Sequence, residues 1–163
     1  MANPGADPNS AEPDRPALQL HTNEPRRASG VLKARLRFVG FKLDRLQTGE
    51  CRARVTLAGP DGDRFEAESR GLASQAGELR CAALAALHAL TQAVPSPAFD
   101  LVGVKAIRAF DATVVIVSLS MRGATDRPRV VGSCLTENDP PRGAALAVLN
   151  ATNRLVSRRD SSR

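Results

Sequence analysis

The chain contains no tryptophan and no tyrosine, and only five phenylalanines among 163 residues. Without those rings, the stacking platforms that hold single-stranded nucleic acid are mostly missing. Histidine is almost as scarce, with His21 in a polar leader and His88 in a helix-like run as the only two. The three cysteines, Cys51, Cys81 and Cys134, stand far apart inside apolar segments and share no zinc-type spacing with histidine. They read as small buried hydrophobes in a reducing cytoplasm, not as disulfides or metal ligands. No apolar stretch approaches the roughly 20 residues of a membrane span, and the Pro- and Asp-rich start lacks a signal-peptide pattern. A Gly-rich phosphate loop and a Gly-x-Ser-x-Gly elbow are also missing. Gly132-Ser133-Cys134 offers two potential nucleophiles, with no histidine near in sequence. The expectation is a cytoplasmic, non-catalytic protein with no cofactor, no metal and no membrane association.

What the chain does contain, it contains twice. Val39-Gly40-Phe41-Lys42 returns 63 positions later as Val102-Gly103-Val104-Lys105, and Asp63-Arg64 returns at that offset as Asp126-Arg127. The run from Arg80 to Leu90 returns 62 positions later as Arg142 to Thr152, with seven of eleven positions identical. Two copies are too few for a solenoid, so they are expected to pair into one pseudo-symmetric domain. His88 falls opposite Asn150 in this alignment, which reads as a hydrogen-bonding helix residue, not a general base.

Residues 1–30 carry Pro4, Pro8, Pro13, Pro16 and Pro25 among polar residues, a composition that predicts disorder. The folded unit is expected over 31–157, with repeat one at 31–95, repeat two at 98–157 and a basic tail at 158–163. In repeat one, alternation predicts strands over Leu32–Leu46, Cys51–Leu57 and Arg64–Ser69, with Gly40 permitting a bulge and Gly59-Pro-Asp-Gly62 a turn. A helix is expected from about Ser74 until Pro95 and Pro97 stop it. Repeat two predicts strands over Phe99–Phe110, Ala112–Met121 and Pro128–Leu135. Its helix is capped by Asn138 or Asp139, with Pro140 or Pro141 at its first position. The order βββα-βββα implies an α+β fold with both helices packed on antiparallel sheet.

The second strand of repeat two is apolar on both faces, and Val115, Val117, Leu119 and Met121 are assigned to an oligomer interface, which makes a homodimer the expected assembly. The formal net charge is +6, and Lys33, Arg35, Arg37, Arg52 and Arg54 are expected on one exposed sheet face, with Lys42 and Arg45 beyond the Gly40 bend. Such a face suits an acidic protein partner, or phosphates in the alternative reading of a nucleic-acid-binding or scaffolding protein. Glu66 and Glu68 dilute it if they share its side.

The stretch Val131–Asp139 leading into Gly143–Leu155 resembles the C-terminal regulatory, or dimerisation, domain of α-isopropylmalate synthase and citramalate synthase. That domain is likewise two βββα units, and its closing helix commonly ends in a Leu-Asn-Ala-x-Asn-Arg-Leu-like run, here Leu149 to Leu155. The resemblance implies a homodimerising module, without the catalytic barrel, that binds an end-product amino acid or related small molecule near the strand-to-helix turns. Those turns correspond to Gly132, Ser133 and Asp139 before the second helix and to Gly71 before the first. The family's Gly-x-Gly-Pro-Val-Asp-Ala-like lead into the first helix is replaced by Arg70–Ala76.

Overall fold

The computed structural model describes residues 35–159 apart from 124, 125 and 127, with the side chains of 154 and 156–159 also excepted. The proline-rich leader, Lys33 and residues 160–163 of the basic tail lie outside the described residues, as does Arg127. Eight elements follow in order: β1 (Arg37–Arg45), β2 (Glu50–Ala58), β3 (Arg64–Leu72), α1 (Gln75–Ala93), β4 (Phe99–Ala109), β5 (Ala112–Met121), β6 (Arg129–Thr136) and α2 (Pro140–Arg159). Each half is an antiparallel three-stranded sheet in sequence order, β1-β2-β3 and β4-β5-β6, followed by its helix. This is an α+β fold.

Local chemistry explains the punctuation. Gly62 takes a φ of 90° in the β2–β3 turn, a region open to glycine, and the Gly59 amide donates to the Asp63 carbonyl at 2.8 Å. Ser74 caps α1 by accepting from the Gly77 amide. Of the two candidate caps for α2, Asp139 does the work, its Oδ1 accepting the Arg142 amide at 3.0 Å, and Pro140 is the first helical residue.

The duplicated Val-Gly pair is a β-bulge in both sheets. The β1–β2 register shifts between Phe38 and Gly40, and the β4–β5 register shifts between Leu101 and Gly103. One extra residue in the strand reverses the facing of everything after it. Phe38 therefore faces inward beside Leu57, and so do Phe41, Leu43 and Arg45 opposite Val55, Ala53 and Cys51. Of the two cations that the sequence reading set beyond the Gly40 bend, Lys42 thus faces outward and Arg45 inward. Asp63 and Asp126 are not at equivalent places: Asp63 directly precedes β3, which opens at Arg64, whereas β6 opens only at Arg129, because the β5–β6 connection is longer.

A single core joins the two halves. Its sheet side is Val55, Leu57, Val115, Val117 and Leu119, and its helix side is Leu79, Leu87, Leu90, Val148 and Leu149 among many alanines. α1 is buried on more of its circumference than one stripe, including Cys81, Ala82, Ala85 and Ala89, because it packs on β2, β3, β4 and α2 together. Alanine at these positions lets the backbones approach closely. From α2, the Arg142 guanidinium lies 5.5 Å from the Phe38 ring centroid, a cation–π contact between the halves. His88 Nδ1 lies 3.4 Å from the Glu68 carbonyl, and Asn150 Nδ2 donates to the Ser133 carbonyl at 2.8 Å, so each helix ties to its sheet at matching places.

Cys51 and Cys81 meet where β2 lies under α1, and their thiols donate to the carbonyls of Leu72 and Ser69. Burial, reinforced by Cys81, pushes the Cys51 thiol up to about 11. An unfolded thiol ionises near about 8.5, so the folded state holds this proton where the unfolded state has lost it. The stabilisation is full below about pH 8.5 and is lost as pH rises toward about 11. Urea midpoints are expected to fall over that window, and Cys51→Ala to flatten the decline. An equally steep decline in the variant would overturn the assignment, and the absence of tyrosine keeps the window clear of phenol titration.

Candidate functional site

Three surface features follow from this register. The first is the outer face of β1-β2-β3. Cross-strand rows place Lys42, Arg54 and Glu68 together, and likewise Asp44, Arg52 and Arg70. Arg54 bonds Glu68 through Nε at 2.7 Å and lies 3.4 Å from Glu66, while Asp44 lies 3.2 Å from Lys42 and 3.7 Å from Arg52. Hydrogen bonding from Arg54 holds the Glu68 carboxyl below the usual carboxylate range. Glu66 and Glu68 do share the side of Arg52 and Arg54, so the expected basic face is a lattice of alternating charge. Arg37 and the preceding Arg35 are exposed at its margin.

The second feature is a cavity of about 690 Å³ where the starts of both helices converge on the end of β1. Leu43, Leu79, Pro140 and Pro141 supply apolar wall, and Arg45, Glu78 and Asp139 supply charge. The bulge aims Arg45 here. Its Nε and Nη2 donate to the two carboxylate oxygens of Glu78, the second bond at 3.0 Å. Glu78 is buried, Arg45 reaches solvent, and the pairing raises the Arg45 pKa above its already high value. A guanidinium carries five N–H donors, and Glu78 engages two of them. The first amides of α1 add positive potential, whereas α2 opens with Pro140 and Pro141, which carry no N–H, and its Arg142 amide is taken by Asp139. The arrangement suits a small molecule with a carboxylate and a short apolar part.

The third feature is the outer face of β4-β5-β6. Its rows are Ile107–Val114–Leu135, Lys105–Ile116–Ser133 and Gly103–Ser118–Val131. Ile107, Val131 and Leu135 are 42%, 64% and 67% exposed.

The sequence-predicted residues are not brought together. Val115, Val117 and Leu119, assigned to an oligomer interface, point inward and are fully buried, and Met121 is partly buried against the same core. The pairing of Leu119 with Leu101 and Val130 places these odd-numbered positions beneath the helices, so Val114 and Ile116 face out instead. Of the four ligand residues, Asp139 alone lines the cavity. Gly132 abuts the α2 backbone, where an added Cβ would meet the Ala147 carbonyl oxygen at 2.0 Å, and Gly71 lies against Gly77 and Cys81 of α1. Ser133 projects from the outer sheet face. Arg45, Glu78 and Leu79 of the cavity were missed, although the Val-Gly repeat marked the bulge that redirects Arg45.

Among the described residues, no group of three or more His, Cys, Asp and Glu is placed to hold a metal ion. His88 lies against β3, while Ser133 and Cys134 lie on β6, and burial raises the Cys134 thiol pKa. Among the described residues, no helix is long and apolar enough to cross a membrane. Comparison with protein-family models and with curated proteins finds no match to this chain.

Proposed function

We propose that the protein is a non-catalytic module that senses a small molecule, in the manner of the amino-acid-biosynthesis regulatory domain it resembles. It works as a homodimer in a reducing cytoplasm. The carrying observation is the cavity at the starts of the two helices, whose lining combines the Arg45–Glu78 pair with Leu43, Leu79, Pro140 and Pro141. A ligand carboxylate binds the remaining Arg45 donors and the first amides of α1, and an ammonium or hydroxyl group binds the Asp139 carboxylate oxygen that does not cap α2. A short aliphatic part covers the apolar wall. Regulation then requires the ligand to bind two arrangements of the assembly with different affinity.

A thermal-shift and calorimetric panel of amino acids, 2-oxo acids and 2-hydroxy acids tests this reading. At 100 times its dissociation constant, a ligand raises stability by about 2.7 kcal/mol. Arg45→Gln is expected to weaken binding at least tenfold while the chain stays folded. No shift by any compound at millimolar concentration would overturn the proposal.

A further inference from the structure

A second cavity, of about 460 Å³, opens where the far half of α1 passes the start of β4, away from the helix starts. Its apolar wall is Leu84 and Leu87 from the helix with Phe99 and Leu101 from the strand, and Leu87 and Phe99 belong to the core. His88, Thr91 and Gln92 line it from the helix, and Asp100 and Arg122 from the sheet. Among the described residues, it shares none with the cavity around Arg45. Its volume falls in the range of small-molecule sites, roughly 300–1,000 Å³.

The polar groups of this cavity are set by bonds of their own. The Arg122 amide donates to the Ala98 carbonyl at 2.8 Å, which ties the end of β5 to the lead into β4. The Arg122 guanidinium gives its Nε–H, at 2.8 Å, and one Nη2–H to a single oxygen of Asp100. Those two hydrogens lie on one edge of the planar group, so the Nη1/Nη2 edge keeps two parallel N–H donors. On the helix wall, the Glu68 carbonyl beside His88 Nδ1 can only accept, so Nδ1 carries the proton. In the neutral ring Nε2 is then an acceptor. Thr91 spends its hydroxyl hydrogen on the Leu87 carbonyl and keeps an oxygen that accepts.

Charge selects among ligands. Arg122 and Asp100 cancel, and a ligand carboxylate on the Nη1/Nη2 edge would lie beside the carboxylate already paired there. The fit is a neutral ring with two adjacent acceptors on one side and an N–H donor elsewhere, flat enough to lie among aliphatic side chains and a phenyl ring. The O6 and N7 atoms of a 6-oxopurine are such a pair, which a guanidinium edge binds with two parallel hydrogen bonds, and its ring supplies the N–H. We propose that this cavity binds a 6-oxopurine, as the free base or its nucleoside. Arg122 holds O6 and N7, His88 Nε2 accepts from the ring, and Leu84, Leu87, Phe99 and Leu101 enclose the plane. The site stands apart from the carboxylate site proposed above and does not depend on it.

Calorimetry and ligand-observed NMR on the full chain test this, with hypoxanthine and inosine as probes. Inosine is expected to bind with a dissociation constant on the order of 100 µM. Adenosine, which sets an amino group where inosine has O6, is expected to bind at least tenfold more weakly, and so is benzoate. Arg122→Gln is expected to weaken inosine binding at least tenfold, and Arg122→Lys to do the same, because an ammonium lacks the paired donors. The Arg122 side chain is exposed, so neither change disturbs the core. His88→Phe keeps a ring, loses the acceptor and is also expected to weaken binding. Arg45→Gln is expected to leave inosine binding unchanged, which reads this site and the carboxylate site separately. No binding of either probe at millimolar concentration overturns the proposal. Adenosine or benzoate bound as tightly as inosine overturns the ligand class. Inosine binding untouched by the Arg122 and His88 substitutions, or lost with Arg45→Gln, overturns the place.

Discussion

Gly132→Ala is expected to destabilise the domain by about 3 kcal/mol or more. The new methyl would lie 2.0 Å from the Ala147 carbonyl oxygen, 2.6 Å from the Ala151 amide nitrogen and 2.9 Å from the Ala151 Cβ. Two of those neighbours are backbone, so no side chain can rotate away, and relief requires α2 to lift off β6. Gly103→Ala is the matched comparison, because a Cβ there meets nothing within 4 Å and alanine in a strand is as favourable as glycine or slightly better. Denaturant melts of the two variants decide between structural and ligand roles for Gly132. A Gly132→Ala protein of near wild-type stability would show that the space was meant for something other than α2.

Leu119→Ala is expected to cost about 3 kcal/mol, a fall in melting temperature of roughly 12 °C for a domain of this size. Leu119 is fully buried between Leu101 and Val130 and beneath the helices, so removing its branch leaves a cavity. Ile116→Ala, three residues away on the same strand but facing outward, is expected to cost under about 1 kcal/mol. Thermal denaturation at low protein concentration, where any dimer is dissociated, measures both. Equal losses at the two sites would mean that the inward and outward faces of β5 are wrongly assigned.

The element order, the Gly59–Gly62 turn and the start of α2 were legible because each rests on local chemistry: alternation, positive φ at glycine, and a cap followed by proline. The facing of β5 was not legible, since Val114 to Val117 are apolar without interruption. Only register with β4 and β6, a long-range property, selects the odd positions for the core. Arg45 illustrates a second kind of limit. Counting alternate residues from Arg37 puts it on the outer face; the extra residue at Val39 turns it to the cavity and to Glu78. The cavity itself draws on β1, the start of α1 and the start of α2, segments far apart in sequence. For the same reason the turn residues flagged by resemblance proved scattered: closeness in sequence to a turn does not decide whether a side chain meets a helix, solvent or a pocket.

The bonds from His88 and Asn150 to strand carbonyls bear on how the chain behaves when crowded. β3 and β6 are edges of their sheets, and an edge offers backbone groups that template a foreign strand and, repeated, a fibril. With the Glu68 and Ser133 carbonyls already engaged, an arriving strand forfeits a hydrogen bond midway along either edge. The other two edges, β1 and β4, are interrupted by their bulges. All four routes to open-ended growth are thus blunted, and histidine and asparagine serve alike, since what matters is a polar nitrogen that reaches the carbonyl. Association is left to faces, where it can close and stop.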